Sequence, residues 1–404
     1  MGSKRSLAPK IARRISREHP GATVLDVFSG MCAVGTELVP RHALFTNDIH
    51  AFAETVADAL FIAEDSSPDS TQISRLLAAY ERNKRAVSDV LSVRLKRERR
   101  ILEKLAYVQD WKRFRDFTRR ELSRQVPLEI PGLAKLAAYR LRPQQFPYCL
   151  ASSYFASAYF GIEQAIEIDS IRYAIDQSPK KLRSRYLCAL IRAVSHCATA
   201  PGHFAQYLIP RDRSNTLYIS RIRQRSVLTR FLAALASFPT IECLDRKKNR
   251  VFRSDATTLL SKRRNEFPKR DFVIYADPPY SKAQYSRYYH VLESLILYDY
   301  PDCDSKGRYR DDRFQTDFSR IAGVVDAMTK FVRAAAELNA PLYVSYPCHG
   351  LLVDAGGDLR SILKTHYDVV RLVTQEPLNH STLGGAPGAA SKRAVEEVYY
   401  AGNR

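Results

Sequence analysis

One structural rhythm occurs at both ends of this chain, with a block of different character between them, and this limits the fold more than any other feature. From Ala22 to about Phe61, a short apolar run (TVLDVF) leads through SGMCAVG and TELVP to a second run, HALFTND. IHAFAETVADALF follows, with apolar residues at helical spacing. From Val251 the pattern returns as FVIYADPPY, the helical YHVLESLILYDY and FSRIAGVVDAMTKFVRAAAEL, the strand-like APLYVSYP, helical LRSILKTHY, and two closing runs, VVRLVTQEPL and VEEVYYAGN. Strands alternating with helices in this way predict a parallel α/β sheet. Between the flanks lie Arg-rich segments such as YERNKRAVSDVLSVRLKRERRILEKLAYVQDWKRFRDFTRREL, with apolar residues every three or four positions, and further helical stretches at YLCALIRAVSHCATA and SVLTRFLAALASF. The expected architecture is one α/β domain made of residues 1–62 and 251–404, interrupted by a mainly helical insertion at 63–250.

Charge narrows the partner. The 404 residues carry 63 Lys and Arg against 43 Asp and Glu, a formal +20, which points to a polyanion and first to nucleic acid. Hydrophobic residues at 45% and charged residues at 26% exclude a collagen-like or mostly disordered chain. Seven cysteines without a CxxC pair argue for a reducing, cytoplasmic setting and against structural zinc; Cys188, His196, Cys197 and His203 are close in sequence but lack paired spacing. The N-terminus MGSKRSLAPK has no apolar core of a signal peptide, and no window is apolar enough to span a membrane.

Two elements carry chemistry. In Val24-Leu25-Asp26-Val27-Phe28-Ser29-Gly30-Met31-Cys32-Ala33 a strand ends in an acid with glycine behind it, which lets a ligand approach the backbone. The next strand ends at Asp48, placed to take the hydroxyls of an adenosine ribose. GxGxxG is absent, because Cys32 occupies the second glycine position. The stronger element is Tyr275-Ala276-Asp277-Pro278-Pro279-Tyr280, where a strand delivers a carboxylate, two prolines fix the backbone and an aromatic ring stands beside it. Such a set suits methylation of an exocyclic amino nitrogen. Asp277 and the Pro278 carbonyl can accept its N–H bonds and draw the lone pair out of conjugation, and Tyr280 can stack on an extruded base.

Together these elements resemble the S-adenosylmethionine-dependent amino-methyltransferases of DNA. Asp277-Pro-Pro-Tyr280 is that family's signature, and DVFSGMCAVGTEL with TNDI is similar to its cofactor loop and second-strand acid. The block Asp277 to Glu293 (DPPYSKAQYSRYYHVLE), Phe314 to Arg320 (FQTDFSR) and Tyr343-Val-Ser-Tyr346 are similar to motifs of adenine-specific members. The resemblance implies a Rossmann-like methyltransferase sheet in the flanks, with a Dam-like motif order that makes the insertion the target-recognition domain for double-stranded DNA. It implies S-adenosylmethionine held by Asp26, Phe28, Ser29, Gly30, Cys32, Ala33, Asp48, Ile49, Asp255, Ala256 and Asp277, with Lys10 over it from the N-terminal helix. Catalysis falls to Asp277, Pro278, Pro279 and Tyr280, and DNA contact to Lys282, Tyr285, Arg287 and Tyr288. The implied activity is transfer of methyl to adenine N6 in a specific DNA sequence, in a restriction–modification or phage-defence setting with cognate restriction or defence proteins as candidate partners.

Methylation of adenine in structured RNA, of cytosine N4 in DNA, and non-catalytic DNA binding on a degenerate methyltransferase fold are the rival readings. The cytosine reading is disfavoured by Asp277, where such enzymes more often carry Ser, and the binding-only reading by the intact Asp277–Tyr280 motif. Other features are weaker. Pro347-Cys348 after LYVSY lacks the rest of a cytosine-ring methylation pattern. Gly384 to Lys392 lacks the GK[ST] ending of a phosphate-binding loop and reads as a hairpin loop. His290 and Glu293, one helical turn apart, read as a hydrogen-bonded pair, so no metal site is expected.

Overall fold

The computed structural model describes residues 4–64, 67–108, 110–124, 145–304, 307–380 and 392–403. The chain forms two compact units: Met1–Ala63, Thr240–Ser286 and Phe314–Arg404 in the first, Glu64–Pro239 and Arg287–Arg313 in the second.

The first unit is built on a seven-stranded sheet. In chain order its strands are β1 (Thr23–Asp26), β2 (Leu44–Asp48), β3 (Arg250–Arg253), β4 (Phe272–Ala276), β5 (Leu342–Pro347), β6 (Val369–His380) and β7 (Lys392–Gly402). They lie in the order β3-β2-β1-β4-β5-β7-β6, parallel except for β7, which pairs antiparallel with both neighbours. This is the Rossmann-like methyltransferase arrangement expected from the flanks. The central strands read as unbroken apolar runs because they are buried on both faces; all five residues of β4 and all six of β5 are buried. Helices Ala256–Lys262 and Val324–Ala336 pack on one another and bury Leu259, Leu260, Met328, Phe331 and Val332 in the core that also holds Leu25, Ile274 and Val344.

Strand order reverses at β1. Chain from either side of the insertion therefore meets at the β1–β4 pair, where Asp26 is in register with Tyr275. In open α/β sheets ligands bind outside the carboxyl ends of strands at such a switch point. The fold thus brings the two chemical motifs, far apart in sequence, to the carboxyl ends of two adjacent strands.

The second unit is helical. The long Arg-rich stretch breaks into Ser70–Val90, Ser92–Val108 and Trp111–Leu122, each of the first and last starting from an aspartate cap, Asp69 or Asp110. Helix Ile162–Asp176 is buried on every turn. Its Asp169 accepts hydrogen bonds from the amides of Ala151 (2.7 Å) and Ser152 (2.8 Å) and from the Tyr298 hydroxyl (2.6 Å). The sequence boundaries at 62 and 250 differ from those of the units, which lie at Ala63 and Thr240, and the segment Arg287–Arg313 joins the second unit. The reason is helix Tyr285–Leu297, whose His290 is buried with its Nε2 at 2.9 Å from the Phe204 carbonyl and 3.1 Å from the Tyr159 hydroxyl. His290 Nδ1 has no hydrogen-bond partner among the described residues, so the expected pairing with Glu293 does not form. The Gly384–Lys392 loop lies largely outside the described residues; only Lys392 is described, as the first residue of β7. Among the described residues no helix is long and apolar enough to cross a membrane.

Candidate active site

The turn after β1 is tight. Ser29 N–H donates to the Asn47 carbonyl (2.9 Å), and Cys32 N–H to Ser29 (2.7 Å). Gly30 has φ 49° and Cys32 φ 60°, so the position where glycine was absent does adopt the left-handed conformation that glycine favours. A Cβ on Gly30 would meet no atom within 4 Å, so the loop leaves open space there. Cys32 itself is buried and starts the short helix Ala33–Leu38. Phe28 packs on Phe318 and Phe331, with ring centroids 5.6 Å away in each case. The FQTDFSR motif thereby supports the loop from behind.

Asp48, at the end of β2, is already engaged. Its Oδ2 accepts the Gly30 N–H (3.0 Å), while Oδ1 accepts the His50 N–H (3.0 Å) and stands 2.9 Å from His50 Nδ1. Burial pushes its pKa up, but His50 and the Gly30 amide outweigh burial and hold it below the usual carboxylate range. A carboxylate offers about four lone-pair sites, so one acceptor site remains beyond these three bonds. Asn47 ties the strand ends together by donating to Val27 (3.0 Å) and Ser254 (3.1 Å). Neither His50 nor Asn47 stands out in the sequence. Asp255 caps helix Ala256–Lys262 through the Thr258 amide (2.9 Å), with Ala256 buried beside it, and Ile49 is half-buried at the bend after β2.

Asp26 is almost fully buried, and its Oδ1 has no hydrogen-bond partner among the described residues. Burial, with Asp277 and Asp48 nearby, pushes its pKa up to about 8. The folded protein therefore binds a proton that the unfolded chain releases near pH 4, so stability falls as pH rises from about 4 to 8. Asp26→Asn is expected to flatten this slope, on the order of a few kcal/mol across the window. Thermal denaturation at pH 5 and pH 8 measures it, and equal slopes in the two proteins would disprove the assignment.

At the end of β4, Asp277 meets a lysine that the sequence did not single out. Lys4, in the 3₁₀ turn Lys4–Ser6, places Nζ 3.1 Å from Asp277 Oδ1 and 2.8 Å from Ser345 Oγ, and in contact with Glu396 Oε1. Ser345 also donates to Glu396 (2.7 Å), and Glu396 is fully buried. Burial raises the Asp277 pKa, Lys4 opposes it and Glu396 adds to it, with a net rise to about 6. Lys10, the lysine expected at the cofactor, is instead on the exposed side of helix Ala8–Glu18 and pairs with Glu376 at 2.5 Å.

Pro278 is buried; Pro279 and Tyr280 are half-buried. The Tyr280 carbonyl accepts the Leu351 N–H (2.8 Å), which anchors the far end of the motif. Beyond it, Gln284 clamps Thr316, donating to its carbonyl and accepting its amide, both at 3.0 Å. Lys282 is exposed and Tyr285 half-buried in this unit. Arg287 and Tyr288 belong to the second unit, where the Arg287 guanidinium stands 5.1 Å from the Tyr309 ring and Tyr288 packs edge-on to His203 at 4.8 Å.

None of the seven cysteines forms a disulfide, and burial pushes the Cys188 and Cys197 thiols up to about 12 and about 11, unlike metal-binding thiolates. Among the described residues no group of three His, Cys, Asp or Glu could hold a metal.

Comparison with known proteins agrees with this geometry. The D12 class N6 adenine-specific DNA methyltransferase family matches residues 1–90. The type II methyltransferase M.FokI of Planomicrobium okeanokoites is 28% identical over 215 residues, covering 52% of this chain and 29% of that protein. The type II methyltransferase M.NlaIII of Neisseria lactamica is 24% identical over 55% of this chain and 61% of its own. The modification methylase StsI of Streptococcus sanguinis is 21% identical over 99% of this chain and 51% of its own. Across the four curated relatives, the matched parts span between 24% and 61% of their lengths. With the β1 loop and the Asp277–Tyr280 motif brought to the one switch point, the chain is similar in its first 90 residues to the D12 class N6 adenine-specific DNA methyltransferases, and in larger parts to type II modification methylases.

Proposed function

We propose that this protein is a DNA adenine methyltransferase that uses S-adenosylmethionine and acts on the N6 amino group of a base flipped out of double-stranded DNA. The observation that carries the reading is the position of Asp277-Pro-Pro-Tyr280 beside the β1 loop at the sheet's switch point. The residues present fit the methyl donor: Asp26 keeps a buried oxygen without a partner among the described residues, Gly30 faces open space, and Asp48 retains an acceptor site. The β1 turn would hold the methionine end, Asp48 the ribose, and Asp255 with Ala256 the adenine. When bound, S-adenosylmethionine supplies a methyl group on a positively charged sulfur that leaves with its electron pair.

The chain's own residues prepare the nucleophile. Adenine N6 donates one hydrogen bond to the Asp277 carboxylate and one to the Pro278 carbonyl, which localises its lone pair on nitrogen. That pair forms the new N–C bond, and the surplus N6 proton passes to Asp277 and on to solvent. Tyr280 stacks on the extruded base. Positioning and charge supply the rate, without a covalent enzyme intermediate.

DNA contact falls to the helical unit together with Lys282, Tyr285, Arg287 and Tyr288. On helix Trp111–Leu122, Lys112, Arg113, Arg119 and Arg120 are exposed at seven-residue spacing and so share one face. The preceding helix exposes Lys96, Arg97, Arg100 and Lys104. This cationic face suits a phosphate backbone. The names of the relatives, modification methylases, favour a restriction–modification setting.

The test is to incubate the protein with labelled S-adenosylmethionine and either DNA or structured RNA, then identify the methylated nucleoside by mass spectrometry. N6-methyladenine from DNA is expected. Label confined to RNA, or found on cytosine N4, would replace this reading with one of its rivals.

A further inference from the structure

The Asp277 carboxylate is not alone with its lysine. Lys4 lies between two carboxylates, those of Asp277 and Glu396, and Ser345 on β5 closes the set by bonding both Lys4 and Glu396. Glu396 reaches the site from β7, where it pairs in register with Pro347. A buried Lys–Asp pair by itself is neutral. It would hold Asp277 in place but would cancel the negative charge that a nitrogen turning positive needs beside it. A second buried carboxylate on the same ammonium restores one net negative charge to the cluster. Full burial of a glutamate, with Oε2 lacking a hydrogen-bond partner among the described residues, is costly.

We propose that Glu396 is a positioning residue that balances Lys4, so that Lys4 orients Asp277 without neutralising it. This rests on the amino-methylation reading above. Other groups also face Asp277: Asp26 from β1, the Tyr275 hydroxyl from β4 and the Tyr280 hydroxyl from the catalytic loop. The first is held largely protonated below about pH 8, and burial raises both tyrosines above their ordinary value, so the direct ion-pair partner of Asp277 is Lys4, which Glu396 contacts in turn.

Two readouts test the arrangement and its role separately. In carbon-13 NMR of the full chain, Glu396→Gln is expected to move the Asp277 titration down by about one pH unit, and Lys4→Met to move it up by a similar amount. In methyl transfer, Glu396→Gln is expected to lower kcat about tenfold or more with the KM for S-adenosylmethionine unchanged, and to move the acid limb of the pH profile down. Glu396→Asp, which keeps the charge, is expected to stay close to the unaltered protein in that limb. Lys4→Met with Glu396→Gln together is expected to recover activity relative to Lys4→Met alone, because both opposing charges are gone. An unshifted Asp277 titration in Glu396→Gln, or purely additive losses in the double variant, would overturn the proposal even if the unaltered chain methylates adenine. No transfer by the unaltered chain, with the titration shifts present, would instead overturn the functional reading and with it the catalytic role of Glu396.

Discussion

Replacing Asp277 with alanine is expected to lower methyl transfer by about 10³-fold or more, while binding of S-adenosylmethionine and of DNA stays within about threefold. The size follows from what the carboxylate does. An aromatic amino nitrogen has its lone pair delocalised into the ring, and the Pro278 carbonyl alone can engage only one of its two hydrogens. Without the anion, the nitrogen must develop positive charge beside Lys4, which stands 3.1 Å from where the carboxylate was. The variant should fold, because Asp277 is at a strand end with part of its side chain exposed and Lys4 keeps Glu396 as a partner. Single-turnover transfer with separately measured binding checks this. Activity within tenfold of the unaltered protein would remove Asp277 from the mechanism.

The second large effect concerns affinity. Changing Lys112, Arg113, Arg119 and Arg120 together to alanine is expected to weaken DNA binding by about two to three orders of magnitude at low salt. The same change should cut the slope of log affinity against log salt by up to about 0.9 for each phosphate that is no longer neutralised. These side chains share one exposed face, whereas the helix's buried face is formed by Phe114, Phe117 and Thr118, so the fold should not suffer. Fluorescence anisotropy across a salt series measures both quantities. An unchanged slope would move the DNA-binding face elsewhere on the helical unit. Specificity for one sequence should survive better than affinity, since phosphate contacts position the duplex and base-edge contacts read it.

Most of the sheet was legible because its central strands are buried on both faces and so appear as continuous apolar runs ending in acids. The edge strand β3 was not, since in Arg250–Arg253 only Phe252 is buried and the flanking arginines are exposed. Helix Ile162–Asp176 escaped for the opposite reason. It is buried all round, so it shows no apolar stripe for periodicity to find. At the site, local motifs announced Asp26, Asp48 and Asp277, because strand-end acids and prolines leave a mark within a few residues. Lys4 and Glu396 left none. They meet Asp277 only through sheet order, which brings the N-terminal turn, β4, β5 and the last strand together. The expectation for Lys10 was drawn from the right segment, but the helix turns that residue outward to Glu376. Arg287 and Tyr288 share a helix with Tyr285 and yet are packed within the second unit, a division that sequence adjacency conceals.

The Asp277–Tyr280 site is proposed to methylate adenine N6 in DNA. The most direct measurement of this is base-modification sequencing of genomic DNA from a bacterial host without adenine methylation of its own, expressing either the unaltered chain or Asp277→Ala. N6-methyladenine confined to one short sequence, and absent with Asp277→Ala, is the predicted result. Methylation found only on cytosine, or adenine methylation that persists in Asp277→Ala, would contradict it.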